Sequence, residues 1–194
     1  MKMSKVLWIA TLVALSVALV TPSFGQIVAN DAYQVNYFAN RFTTLRVLNT
    51  GQIGSPIDSG TNEGKVCADI YVFDANQEMV SCCSCPITAN GLLSMNGNSL
   101  FSNSLTGVRP DTGVIKIVSD AQPGTSCDAT TILSPVNAGL RSWETHLQGT
   151  NVFTETLSQT APLTNTEAAF LGQACSFVVY LGSGRGTCIC REVG

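Results

Sequence analysis

The chain opens on a short basic stretch, Met-Lys-Met-Ser-Lys, and then runs almost unbroken through apolar residues from Val6 to Val20. Thr21-Pro22-Ser23-Phe24-Gly25 follows, with small residues at Ser23 and Gly25. A basic head, an apolar middle and a small-residue end make up a secretory signal, so residues 1–25 read as a signal peptide cleaved after Gly25. The apolar run is shorter than the roughly 20 residues a bilayer-spanning helix needs, which argues against a retained anchor. No second long apolar run follows, so no membrane span is expected once the signal is removed.

The pattern then changes to a period of two. Ile27, Ala29, Tyr33, Val35, Tyr37 and Ala39 fall on one side of an extended chain, and Asn30, Gln34 and Asn36 on the other. That alternation predicts a strand with its apolar side buried. Asp31 breaks the apolar side, and Val28 and Phe38 break the polar one. Thr43–Asn49 predicts a second strand with Leu45 and Val47 inward and Arg46 outward, before a long loop from Thr50 to Gly64. Val66–Phe73 and Glu78–Cys85 flank Asp74-Ala75-Asn76-Gln77 as a hairpin.

Further on, Asn96-Gly97 between Leu92–Met95 and Ser99–Phe101 is a hairpin-type turn signal. Pro110-Asp111-Thr112-Gly113 turns the chain into the core-type strand Val114–Val118. Leu140–Leu147 and Val152–Leu157 read as strands around Gln148–Asn151. One helix is predicted near 165–174, where Thr164 and Glu167 form a capping box and Gly172 stands near the end. Ser176–Leu181 and Thr187–Glu192 read as a last hairpin around Gly182-Ser183-Gly184-Arg185-Gly186. Many short strands with one short helix predict an all-β fold, an antiparallel β-sandwich of immunoglobulin-like or jelly-roll-like type. The expected organisation is a signal peptide (1–25), an N-terminal strand or extension (26–42) and a single disulfide-rich β domain (43–194).

Cleavage would leave 169 of the 194 residues, enough for one domain with a real core. It would also remove Lys2 and Lys5, leaving eight basic residues against thirteen acidic ones. A chain of that sign offers no basic patch for nucleic acid or for an anionic membrane. Polar positions are filled mainly by uncharged residues, so copies repel one another little. No Asn-x-Ser/Thr sequon occurs.

All eight cysteines follow the signal: Cys67, Cys82, Cys83, Cys85, Cys127, Cys175, Cys188 and Cys190. An even count in an exported chain predicts disulfides. Cys82 and Cys85 have the spacing of one zinc knuckle, but Cys188 and Cys190 are a residue too close for the second, and the chain holds a single His. A redox Cys-x-x-Cys lacks its βα context here. Four intrachain bridges are therefore expected, with Cys67 joined to Cys82, Cys83 or Cys85 across the hairpin. Cys188 and Cys190 are expected to take separate partners.

Candidate chemistry is sparse. Glu144 and His146 share a strand face but lack an evident third metal ligand, and no Gly-x-Ser-x-Gly elbow supplies a nucleophile. The glycines of 182–186 lack the ending of a phosphate-binding loop. Asp69, Asp74, Glu78, Glu144 and Glu155 would make a glycosidase only if two of them met in a cleft. Asp58, Glu63, Asp74 and Asp128 sit in no calcium-loop pattern. Trp143, Tyr33, Tyr37 and Tyr71 would stack on sugars only if exposed.

The stretch Val66-Cys67-Ala68-Asp69-Ile70-Tyr71-Val72-Phe73-Asp74, with Cys82-Cys83-Ser84-Cys85-Pro86, Asn90-Gly91-Leu92, Thr106-Gly107-Val108, Gly113–Val118, Gly182-Ser183-Gly184 and Cys188-Ile189-Cys190, resembles a group of exported, cysteine-rich bacterial proteins without an assigned activity. The resemblance covers most of residues 66–190. It implies export and a cysteine framework, and it brings no catalytic residues.

The expectation is thus a protein without enzymatic activity or cofactor, secreted or displayed at the cell surface. Its first-choice role is a structural subunit that assembles with copies of itself into an extracellular filament or surface layer. An assembly strand bearing Ile27, Ala29, Tyr33, Val35 and Tyr37 would add to a neighbour's sheet. A carbohydrate-binding or adhesion module recognising polysaccharide is the alternative, and a small secreted hydrolase the least favoured.

Overall fold

The computed structural model describes residues 29–39, 42–52, 64–100, 102–121, 126–132, 135, 139–148, 152–183, 185–188 and 190. The predicted signal peptide and Ile27 lie outside the described residues, and Ala29 is described through its backbone alone. Among the described residues nine strands run in chain order: β1 (Ala29–Phe38), β2 (Thr44–Asn49), β3 (Val66–Asp74), β4 (Met79–Ile87), β5 (Leu92–Asn96), β6 (Gly113–Asp120), β7 (Leu140–Gln148), β8 (Val152–Leu157) and β9 (Gln159–Leu163). The one-turn helix α1 (Gly97–Leu100) follows β5, and α2 (Asn165–Tyr180) follows β9.

The strands form two antiparallel sheets, β4-β3-β6-β1-β9 and β5-β2-β7-β8. The fold is a β-sandwich with a C-terminal helix, as predicted, stapled by four disulfides. Alternation explains β2, where Leu45 and Val47 are fully buried while Arg46 faces outward. The apolar run of β3 is buried on both sides. Ala68, Ile70 and Val72 meet Leu45, Val47 and Leu93 between the sheets. Tyr71 and Phe73 face the other way and meet Leu171, Cys175 and Val178 of α2. The helix thus adds a third layer over the five-stranded sheet, and among the described residues no element packs on the outer side of the four-stranded one.

Three local expectations are overturned. The helix does not stop near Gly172 but continues to Tyr180, so the predicted strand over 176–181 is helical. Gly172 is buried, and a Cβ there would come within 2.5 Å of the Thr130 carbonyl, so the glycine marks a close contact and not a helix end. The Ser176 hydroxyl donates to the Gly172 carbonyl, and burial of Cys175 and Val178 outweighs the weak helix preference of the Val178-Val179 pair. No final hairpin forms: Thr187 makes one isolated parallel bridge, with Cys82. Asn96-Gly97 leads into α1 and not a hairpin, because the Gly97 N–H donates to the Thr43 carbonyl and Leu100 is drawn into the core. Strand β9 was not predicted; its Gln-Thr-Ala-Pro-Leu sequence carries weak β preference, and pairing with β1 makes it a strand.

Candidate functional site

The distinctive element is β1. It lies between β6 and β9, paired with β6 from Tyr33↔Val118 to Phe38↔Gly113 and with β9 from Ala29↔Leu163 to Val35↔Gln159. A register shift between Ala29 and Tyr33 interrupts the second ladder. The predicted assembly strand therefore rests on its own body, with both of its edges used.

Its side chains are sorted differently from the expectation. Gln34, Asn36 and Phe38 are the residues turned in between the sheets, and all three are buried. Tyr33 is buried on the opposite side, under α2, where its hydroxyl donates to Glu167 at 3.1 Å. Val35 is half-buried and Tyr37 is 48 % exposed. The polar side of β1 faces the core because its amides find partners there. Gln34 donates to the Leu140 carbonyl at 2.9 Å and accepts from the Ser142 N–H at 3.0 Å and hydroxyl at 2.7 Å. Asn36 donates to the Thr156 carbonyl at 3.1 Å and to the Ser158 hydroxyl at 3.3 Å. Buried amides satisfied in this way fix the strand's register against the facing sheet.

Beside these amides sit Glu144 and His146 of β7. They share one strand face, as the sequence predicts, but that face points inward: Glu144 is 0 % and His146 1 % exposed. Both Glu144 carboxyl oxygens and His146 Nδ1 lack a hydrogen-bond partner. Burial pushes the Glu144 carboxyl up to about 8. The Tyr37 ring lies 5.5 Å from the His146 ring.

The disulfides define what is fixed around this slot. They are Cys67–Cys127, Cys82–Cys175, Cys83–Cys188 and Cys85–Cys190, with Cα separations of 5.4 to 5.8 Å. All eight cysteines are paired, and Cys188 and Cys190 take separate partners as expected. The expected bridge from Cys67 into the hairpin is wrong. In the observed register Cys67 stands opposite Pro86, and Cys85 stands opposite Ala68 on the other side of the sheet. Cys82 shares the α2 side with Cys67, but opposite Tyr71, too far along the strand. Cys82 instead holds the helix, and Cys83 and Cys85 hold the C-terminal segment along the β4 edge, where the Cys82 N–H also donates to the Gly186 carbonyl at 2.8 Å. The sulfurs of Cys83, Cys85 and Cys190 lie within 4.8 Å of one another, a crowding that follows from two bridges two residues apart.

The other candidate residues do not converge. Asp69 is fully buried on the α2 side, accepts from the Ser84 hydroxyl, and is pushed up to about 8, mainly by burial. Glu144 lies between the sheets, so the sheet separates these two acids. Asp74 serves its turn, accepting from the N–H groups of Asn76 and Glu78. Glu155 is exposed on the outer side of the four-stranded sheet. Trp143 stands on that same side, half-buried between its cross-strand neighbours Arg46 and Leu157. Tyr71 is buried and donates to the Ala129 carbonyl. An apolar groove of about 490 Å³ runs between α2 and the β3–β4 turn, lined by Phe73, Met79, Leu105, Phe170 and Phe177.

Sequence reasoning missed Gln34 and Asn36 as slot residues. The available signal was the choice of uncharged amides, where a solvent-facing strand side would admit Lys or Glu as readily. Among the described residues no helix is long and apolar enough to cross a membrane. No protein-family model, no curated protein and no solved structure matches the chain.

Proposed function

We propose that the protein is a secreted structural subunit, without enzymatic activity, that joins copies of itself by exchanging the N-terminal strand. The observation that carries this reading is the position of β1 relative to the disulfides. Every bridge closes within residues 67–190, so β1 fills an internal gap of the sheet with no covalent tie to it. If β1 left, β6 and β9 would both present unpaired edges, a slot shaped for that one segment. A neighbour's β1 would restore each ladder and amide contact, so exchange conserves the interactions and costs chiefly the freedom of the partners. Passing strands head to tail does not close on itself and yields filaments. Four bridges require an oxidising compartment, which fits export.

Electron microscopy of the purified oxidised protein, alongside a variant lacking residues 26–39, tests the reading. Filaments are expected from the full protein. The deletion variant is expected to form none and to take up a synthetic peptide of residues 26–39. A protein that stays monomeric at high concentration, with a deletion variant of full stability, would overturn it.

A further inference from the structure

Resting on that reading of β1 as the exchanging strand, we propose that Glu144 is a proton-operated latch: a neutral carboxyl keeps β1 shut, and loss of its proton to solvent releases the strand. The geometry places Glu144 directly under β1. On the same face of β7, Ser142 on one side is bonded to Gln34 and His146 on the other meets the Tyr37 ring. Across the sheet, Thr156 pairs with Glu144 and gives its carbonyl to Asn36. Gln34, Asn36 and Tyr37 of β1 therefore contact the residues that flank Glu144 along β7 and across on β8.

Among the described residues, no hydrogen bond meets a charge there. β1 presents Gln34, Asn36 and Phe38, β2 presents Leu45 and Val47, β8 presents Thr154 and Thr156, and β6 presents Ile115 and Ile117. Among the described residues on these elements, His146 is turned into the same space and the phenol ring of Tyr37 packs against it. The carboxyl has no partner in the closed state, so ionisation cannot be met by a hydrogen bond already in place. Departure of β1 would admit water to it without breaking a disulfide.

The direction follows from linkage. In the closed state the carboxyl holds its proton up to about 8, against an ordinary value of 4.5. The closed state therefore binds the extra proton between those limits. Opening is unaffected below the lower limit, grows by at most about tenfold per pH unit between them, and levels off above the upper one. Asp69 is raised similarly, but it lies on the opposite side of the sheet, on a strand of the stapled body.

Hydrogen exchange at the β1 amides of the oxidised protein reads this directly, once corrected for the intrinsic pH dependence of amide chemistry. The opening constant of residues 33–38 is expected to rise several hundredfold or more from pH 5 to pH 8. In Glu144→Gln it should stay within about threefold, and Glu144→Leu gives the same reading if the amide disturbs folding. Asp69→Asn should keep the wild-type slope. A flat wild-type profile, or a slope that survives in both Glu144 variants, overturns the latch while leaving strand exchange standing. Exchange of β1 only in step with β3 and β6, through global unfolding, overturns both.

Discussion

The five-stranded sheet is secured by different means at its two sides. At β4, three consecutive-region cysteines tie the strand to α2 and to the C-terminal segment, which lies along the edge through the Cys82–Thr187 bridge. At the other side β1 and β9 are held by ladder hydrogen bonds, by the amides of Gln34 and Asn36, and by the burial of Tyr33 and Phe38. A disulfide acts mainly by restricting the unfolded chain and does not let its segment leave. Hydrogen bonds and apolar contacts can be remade by an identical segment from another molecule. The stapled side is therefore permanent, and the unstapled side is the one suited to exchange.

Full reduction should break this asymmetry most severely. Four bridges at about 2–4 kcal/mol each reach the whole net stability of a domain, about 5–15 kcal/mol. The cooperative thermal transition of the oxidised protein is expected to vanish or fall far in temperature with reductant, with eight thiols detected by mass. Retention of an unchanged transition would show that the staples add little. Gln34→Ala sharpens the comparison from the other side. It leaves the Ser142 N–H without the Gln34 acceptor inside the slot, while the Leu140 carbonyl keeps its bond from Arg141, and should cost about 1–3 kcal/mol in urea denaturation. Its exchange signature should be concentrated in β1 and absent from β4. The smallest effect belongs to a site outside the contrast. Thr164 accepts from the Glu167 N–H at 3.1 Å as the N-cap of α2, and Thr164→Ala should cost about 1 kcal/mol, with β1 and β4 protection lowered alike.

The latch bears on the same contrast. Two buried carboxyls, Asp69 and Glu144, are both pushed up to about 8 by burial. One lies in the stapled body and keeps a hydroxyl donor from Ser84; the other lies beneath β1, which no disulfide holds, and has none. The same chemical group is thus placed on either side of the divide, and the two variants proposed above separate their effects.

Much of the architecture is legible along the chain because it rests on local chemistry. Alternation gives β1 and β2, the Asp74–Gln77 turn gives the β3–β4 hairpin, and Thr164 with Glu167 gives the start of α2. An even cysteine count gives full pairing, and the two-residue spacing of Cys188 and Cys190 gives their separate partners. What the sequence could not determine depends on which side of each element meets which neighbour. The end of α2 was set by the disulfide at Cys175 and by the close seat of Gly172 against Thr130, both long-range contacts. The partner of Cys67 was set by a hairpin register that carries Cys82 and Cys85 out of its reach. The inward turn of Gln34 and Asn36 was decided by carbonyls and hydroxyls of β7 and β8 more than a hundred residues away, which make a buried amide more stable there than an exposed one. A period of two marks a strand and its two sides; only the sheet that faces it decides which side is the core.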